Sequence, residues 1–574
     1  MNNKDLTGYA SQDKPWQKYY TEAALNGEID QCKIYDYLWS ANQDYLDGIA
    51  IIYFGHKISF KDFFRNIESA AKAFVSAGVK AGDYVTICSV NTPEVVYAIY
   101  ALNRIGAVAN LVDPRTNTDR IGQYMKDANS RFVLTLDRAL PRFTKLGEDG
   151  LIDRIVVISP ADSLPYHLKL GYKLKNKDKP HMNDLCWTWS DFINRGINTE
   201  VTDIPYEKDY PVAVVYTGGT TGIPKGAVLS NDAFNAITYS YNSIDIDVSR
   251  NQRYLNIMPP FIAYGVSCGL NMPLCHGVTT VLIPQFDPEK FADLLQKYKP
   301  QHIIGVPSHF EKLMLSKKAQ NMDLSFLISP CCGGDSLIPE VEQKINTFLK
   351  EHNSEAQIIK GYGMTELGSA ISTTQYGNIN KIGSVGLPYP KNVITVRDPK
   401  TREELTYNVE GEFYVSSPSA MTKYINAPEE QEKVFWTDEN GVKWVKTGDV
   451  GYIDEDGFIF LKGRMKRMIV RPDGHNVWPS MIEAVIVSHP SVEQCVVVGC
   501  SAPNTQNGKI PTAFIKIKEG CTQTEELLQD IESYSKEHMP ERDTASVFRF
   551  IDEIPMTNIG KVDYRSLQEN TIEN

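Results

Sequence analysis

The stretch Thr217-Gly218-Gly219-Thr220-Thr221-Gly222-Ile223-Pro224-Lys225-Gly226 constrains this chain more than any other. It lies between two apolar runs, 212–216 and 227–229, that read as β-strands. Any fold must therefore carry a loop of three glycines and three threonines in six residues, closed by a lysine. Glycine lets backbone N–H groups approach an anion closely, the hydroxyls add donors, and Lys225 adds charge. That chemistry suits a polyphosphate. The commonest phosphate loop needs Ser or Thr directly after Gly-Lys. Here Pro224 precedes the lysine and Gly226 follows it, so the P-loop NTPase arrangement is excluded. Asn231 reads as the cap of a helix running to about residue 241, so the phosphates would be held by the loop itself.

Around this loop the pattern alternates. Residues 59–78 have helical spacing (Phe60, Phe63, Phe64, Ile67, Ala70, Phe74), and 84–90 reads as a short buried strand. Helical spacing returns over 93–105, with Pro93 where a helix tolerates it. Strands at 132–136, 154–158 and 212–216 continue the alternation, which predicts an α/β class with a mostly parallel sheet. Residues 410–415, 443–445, 450–454 and 458–462 read as short strands, with Asp456-Gly457 as a hairpin turn. Beyond Arg464 a helix, two strands, a helix and a strand make a compact α+β unit, which places a domain boundary near 463–466.

At 574 residues the chain exceeds one core, and length alone corresponds to about four domain-sized units. The net charge of −12 is spread along the chain, which excludes nucleic acid as a main partner, since that needs a concentrated basic face. The ten cysteines have no metal-like spacing and read as free thiols of a reducing cytoplasm. Residues 1–20 lack the apolar core of a signal peptide. Two apolar stretches are interrupted, 95–112 by Asn103 and Arg104, and 261–283 by Asn271, Pro273 and His276. Both read as buried helix and strand, so no stable membrane insertion is expected. A lysine-rich stretch at 169–179 is either a solvated loop or a surface for anionic lipid or the phosphates of CoA.

The 217–226 loop closely resembles that of the adenylate-forming superfamily, which includes acyl-CoA synthetases. Four further segments follow in the order of that family: Tyr362-Gly363-Met364-Thr365-Glu366, Lys446-Thr447-Gly448-Asp449, Gly463-Arg464-Met465-Lys466 and Asn558-Ile559-Gly560-Lys561. The resemblance runs from about Ile51 to Leu567. It implies a large N-terminal domain (1–463) of several subdomains, with parallel-rich αβ layers plus a small β-barrel. A small mobile C-terminal domain (464–574) would turn about a hinge at Lys466.

The resemblance also assigns roles. Thr217, Gly218, Thr220, Thr221, Gly222 and Lys225 would cradle the triphosphate of ATP. Thr365 would bond the α-phosphate and Glu366 would hold Mg2+, while Tyr362 would lie against adenine. Gly333 and Gly334 would sit beside the base, followed here by the variant Asp335. Asp449 would accept the ribose hydroxyls with Arg464 as a further donor. Lys561 would be the catalytic cation between carboxylate and phosphate. Gly474 would let the pantetheine arm of CoA pass. At the position after Lys466 the family often has Asp, and this chain has Arg467.

The segment 258–265 corresponds to the acyl pocket of the family, lined by Ile262 with Val306 and Cys332. It contains no carboxylate. Amino-acid-activating relatives pair a substrate ammonium with one, since a buried amine needs a counter-charge. The expected substrate is therefore a fatty, aryl or other non-amino acid, activated as acyl-AMP and passed to CoA. A separate acyl carrier protein is the alternative acceptor.

Overall fold

A computed structural model describes residues 6–165, 168–169, 171–172, 182–217, 224–244, 246–375, 377, 379–501, 508–555 and 562–569. Gly218, Thr220, Thr221, Gly222 and Lys561 lie outside the described residues, as does most of the lysine-rich stretch.

Two large sheets form the body of the chain. The first runs, edge to edge, Lys423–Tyr424, Gly226–Ser230, Pro211–Tyr216, Val108–Val112, Tyr84–Cys88, Phe132–Leu136, Arg154–Ile158 and Cys186–Thr188. Every pairing from Pro211–Tyr216 to Cys186–Thr188 is parallel. Val108–Val112 is buried on both faces, as a parallel strand covered by helices requires, and its central Asn110 is satisfied by donating to the Thr86 hydroxyl and accepting from Tyr216 Oη. The second sheet runs Leu387–Pro388, Ser369–Thr373, Ile359–Met364, Ser329–Gly333, His302–Gly305, Arg253–Asn256, Thr279–Leu282, Ile49–Tyr53 and His56–Ser59. Its six central strands are parallel.

Helices Phe60–Ser76 and Pro93–Ile105 supply much of the apolar core that joins residues of both sheets. Ser59 caps the first, accepting from Asp62 N at 3.1 Å. Gly106 ends the second in the left-handed region (φ 73°), and a Cβ there would lie 1.7 Å from Ile204 Cδ1. No described helix is long and apolar enough to cross a membrane.

The helix after the glycine loop spans Asn231–Asn242, but its cap is Ser230, whose hydroxyl accepts from Ala233 N. Asn231 is already helical and buried. Its Oδ1 accepts from Ile34 N and Asn103 Nδ2, each at 2.9 Å. Either residue type can cap a helix, and tertiary contacts claimed the asparagine.

A third, antiparallel sheet comprises Val393–Arg397, Gly411–Ser416, Lys443–Ile453, Phe435–Thr437 and Ile459–Arg464. The two strands expected at 443–445 and 450–454 are one, because Gly448 (φ 70°) bends the chain without ending its pairing. This sheet stands where the small β-barrel is expected, and no pairing closes it into a ring among the described residues.

After the turn Met465–Arg467 comes a three-stranded sheet of Val492–Ser501, Lys509–Ile517 and Val547–Phe550. Helices Pro479–Val487 and Glu525–His538 cover it. It has its own core, with Ile482, Ile486, Val497, Ile515 and Ile531 all buried.

Candidate active site

Two clusters of polar side chains form where these sheets meet. In the first, Asp449 and Arg464 are register partners on adjacent antiparallel strands, so their side chains stand side by side. Arg464 Nε lies 2.6 Å from Asp449 Oδ1, and Tyr362 Oη donates to Asp449 Oδ2 at 2.7 Å. Asp449 N donates to the Thr447 hydroxyl at 3.0 Å, which fixes the bend at Gly448. Asp449 is 5% exposed and Tyr362 is 8% exposed. Burial pushes the Asp449 carboxyl above its ordinary range, while Arg464 and then Tyr362 oppose that rise. Nearby Glu366 adds like charge, which shows that the two clusters share one field.

Glycines shape the floor of this cluster. A Cβ on Gly333 would stand 3.0 Å from Gly361 O, and one on Gly363 would stand 1.7 Å from Ser369 O. Gly334 has φ 78° and is open to solvent, as a turn beside a flat ligand requires. Asp335, after it, is exposed.

The second cluster lies at the root of the glycine loop. Thr217 N donates to Lys225 O at 2.9 Å, and Lys225 N donates to the Thr217 hydroxyl at 3.1 Å. The stem is thereby pinned where strands Pro211–Tyr216 and Gly226–Ser230 meet. Lys225 Nζ pairs with the carboxylate of Glu430 and sits 5.5 Å from the ring centre of Tyr424. Tyr424 Oη donates to Glu366 Oε1 at 2.5 Å. Tyr424 is buried, and that burial together with the Glu366 charge drives its phenol well above the ordinary range, so it remains a donor. Thr365 opens the short turn that carries Glu366.

Among the described residues no group of three or more His, Cys, Asp or Glu could hold a metal. Mg2+ does not require one, since it commonly takes one or two carboxylates plus phosphate oxygens and water. Glu366 fits that role. One of its oxygens is fixed by Tyr424, and the other accepts no protein hydrogen bond among the described residues.

The expected acyl segment begins a π-helical turn, Tyr264–Asn271. π-turns occur disproportionately at functional sites. A Cβ on Gly265 would stand 1.8 Å from Pro259 O, so that turn needs glycine. Tyr264 Oη donates to Gly305 O at 3.3 Å and lies 3.8 Å from Cys331 Sγ. Ile262 and Val306 are half-buried at the core edge, with Ile262 touching the clusters of both sheets. Cys332 differs from expectation. Side chains alternate along a strand, so Cys331 and Gly333 share the Tyr264 face and Cys332 points the other way. Its buried thiol is raised by desolvation and feels Lys360 and Glu342.

Lys466 is exposed in the turn Met465–Arg467. Arg467 pairs with Glu483 and stacks 4.4 Å from the Tyr564 ring centre. Gly474 closes the hairpin between Ile469–Val470 and Asn476–Val477 with φ 85°, and a Cβ there would meet nothing within 4 Å.

The structure thus brings together Tyr362, Asp449 and Arg464, and separately Thr217, Lys225 and Glu366. Tyr424 and Glu430 were not legible as site residues. They reach it because Lys423–Tyr424 pairs across Gly226–Ser230, a contact spanning about two hundred residues of sequence.

The family model for the AMP-binding enzyme matches residues 38–425, and that for the AMP-binding enzyme C-terminal domain matches 481–561. A long-chain-fatty-acid–CoA ligase of Bacillus subtilis is 29% identical over 570 residues, covering 98% of this chain and 99% of that one. A probable 4-coumarate–CoA ligase 1 of Dictyostelium discoideum is 28% identical over 513 residues, 88% of each chain. In fold, the chain is similar to the anthranilate CoA ligase AuaEII solved with anthranoyl-AMP. The TM-score is 0.81 at 20% identity, over 95% of this chain and 99% of that one. On the extent of these matches and the two clusters, the chain belongs to the AMP-binding enzyme family and is an AMP-forming acid–thiol ligase that works with ATP, Mg2+ and CoA.

Proposed function

We propose that this ligase activates a fatty or aryl acid, and that the two clusters bind the two ends of ATP. Asp449, held open by Arg464 and Tyr362, takes the ribose hydroxyls, and the base lies over Gly333 and Gly334. The stem residues Thr217 and Lys225 meet the β- and γ-phosphates together with the loop residues Gly218, Thr220, Thr221 and Gly222. Mg2+, held by Glu366, would supply charge neutralisation across the phosphates. The substrate carboxylate attacks the α-phosphorus beside Thr365, the bond to pyrophosphate breaks, and acyl-AMP forms. Lys561 stabilises the charge that develops there.

Turning of the 464–574 domain about Lys466 then brings the Gly474 hairpin to the site, and the thiol of CoA displaces AMP. Hinges need freedom in φ and ψ, and the exposed side chain of Lys466 in the short turn Met465–Arg467 supports that reading. We assign the protein to the cytoplasm, as its free thiols favour.

The observation that carries the substrate reading is the absence of any carboxylate from residues 258–265, together with the apolar surroundings of Ile262 and Val306. A screen of pyrophosphate release over short, medium and long fatty acids, aryl acids and amino acids, with and without CoA, tests it. Release should rise with a fatty or aryl acid, and AMP and acyl-CoA should form only when CoA is added. Preference for an amino acid would overturn the assignment. Turnover only with an added carrier protein would replace CoA as acceptor.

A further inference from the structure

The Lys225–Glu430 pair is not needed to hold the fold. Lys225 and Glu430 have side chains 27% and 35% exposed, and such pairs contribute little to stability. The pair nevertheless joins the lysine that closes the glycine loop to the short helix Pro428–Val434. That helix is tied to the same place by a second contact, Tyr424 N donating to Gln431 Oε1 at 3.1 Å. Tyr424 in turn reaches Glu366. One helix therefore touches Lys225 directly and is one residue, Tyr424, away from Glu366, the two charges that the proposed function assigns to the phosphates and their metal.

Glu430 has a second cation within reach. Lys433 Nζ lies 2.5 Å from Glu430 Oε1, while Lys225 takes the other oxygen. Lys225 holds the Glu430 carboxyl down at about 2 with help from Lys433, so it is an anion at any working pH. A carboxylate with two cations can release one without being stranded. A phosphate oxygen arriving at Lys225 would face a lysine whose charge is already partly answered.

We propose that Glu430 is a built-in counter-ion for Lys225 that a polyphosphate must displace, with Lys433 retaining the carboxylate afterwards. The exchange breaks one ion pair and forms another, with no proton or bond moved. Glu430 thereby weakens the grip on the triphosphate and on pyrophosphate, and eases departure of the latter. It leaves AMP untouched, because AMP lacks the phosphates that Lys225 would meet. This inference rests on the assignment of Lys225 to the β- and γ-phosphates.

Isothermal titration calorimetry of the full chain with ATP, pyrophosphate and AMP, each with Mg2+, tests both claims separately. Glu430→Gln should bind ATP and pyrophosphate about two- to fivefold more tightly, the range of a partly exposed ion pair. Its affinity for AMP should not change. The gain should shrink in high salt. Glu429→Gln removes the same charge from an exposed neighbour and should change nothing. Lys225→Ala should weaken ATP but not AMP, and adding Glu430→Gln to it should restore nothing. If Lys225→Ala binds ATP like the wild type, the phosphate assignment itself fails. If Lys225→Ala weakens ATP while Glu430→Gln leaves ATP unchanged, only the counter-ion is refuted. An equal gain for AMP, or an equal effect of Glu429→Gln, would also refute it.

Discussion

The two ends of the proposed nucleotide cleft are built on opposite principles. At the proposed nucleoside end, Asp449 is buried, strand register sets Arg464 against it, Tyr362 reaches it from the neighbouring sheet, and burial itself works against its charge. At the proposed phosphate end, Lys225 and Glu430 meet within reach of water, and Glu430 has a second cation in Lys433. Charge pairs in a low dielectric interact strongly and resist salt, whereas solvent-exposed ones are weak and screened. The ribose of every nucleotide offers the same hydroxyls, so a fixed acceptor costs nothing in generality. The phosphates must be released as pyrophosphate in each cycle, and an exchangeable contact suits a group that leaves.

The largest expected effect breaks the buried end. On the proposed assignment Asp449→Ala removes the acceptor for two ribose hydroxyls, and it leaves Tyr362 Oη without its partner. Hydrogen bonds to a charged group contribute about 1.5–3 kcal/mol each, so with two of them lost kcat/KM for ATP should fall by at least about 100-fold. The loss should be about the same in low and high salt. Pyrophosphate-release kinetics at two ionic strengths check this. A loss that fades with salt would show that the nucleoside end is no more enclosed than the phosphate end.

A smaller effect is expected where the two ends touch. Tyr424→Phe keeps the buried ring beside Lys225 and removes only the hydroxyl on Glu366. Glu366 then loses a donor to its charge, worth about 1.5 kcal/mol at the low end. The Mg2+ concentration giving half-maximal rate should rise about tenfold, with little change in melting temperature. An unchanged Mg2+ requirement would remove Tyr424 from the positioning of Glu366.

The contrast between the two ends also explains what could be read from sequence. The layers were legible because burial leaves a pattern: Phe60, Phe63, Phe64, Ile67 and Phe74 mark one helix face, and 212–215 is apolar throughout. Thr217, Lys225, Glu366, Asp449 and Arg464 were legible as a set through the order of five short segments in a known family. The same resemblance sets Tyr362 against adenine, and in the fold its hydroxyl is spent on Asp449. Tyr424 and Glu430 carry no local sign, since a tyrosine before Ile-Asn and a glutamate in a charged helix are ordinary surface chemistry. Their importance arises from strand pairing across a long separation, which periodicity cannot report. Cys332 departs from expectation for a related reason, because a one-residue step along a strand turns a side chain to the opposite face.

The smallest effect on activity, because it touches stability alone, concerns a second buried carboxyl, one without the partners that Asp449 has. Glu94 is 2% exposed in the first turn of helix Pro93–Ile105. Its Oε1 accepts from the Ser163 hydroxyl at 2.5 Å, and its Oε2 has no hydrogen-bond partner among the described residues. With no cation beside it among the described residues, burial pushes its carboxyl up to about 7. The folded value is raised above the unfolded one near 4.5, so the fold binds the proton more tightly than the unfolded chain does. The stabilisation is complete below about 4.5 and is lost as pH rises through about 7. A tenfold difference in proton affinity between the folded and unfolded chain is worth about 1.4 kcal/mol, which puts the whole effect at no more than roughly 3 kcal/mol. Glu94→Gln keeps the shape and is neutral at every pH. Its melting temperature should therefore overtake that of the wild type by a few degrees between about pH 5 and pH 8, as expected for a large chain. Parallel melting curves would mean that Glu94 finds a compensating charge, as Asp449 does in Arg464, and that burial alone does not separate the two carboxyls.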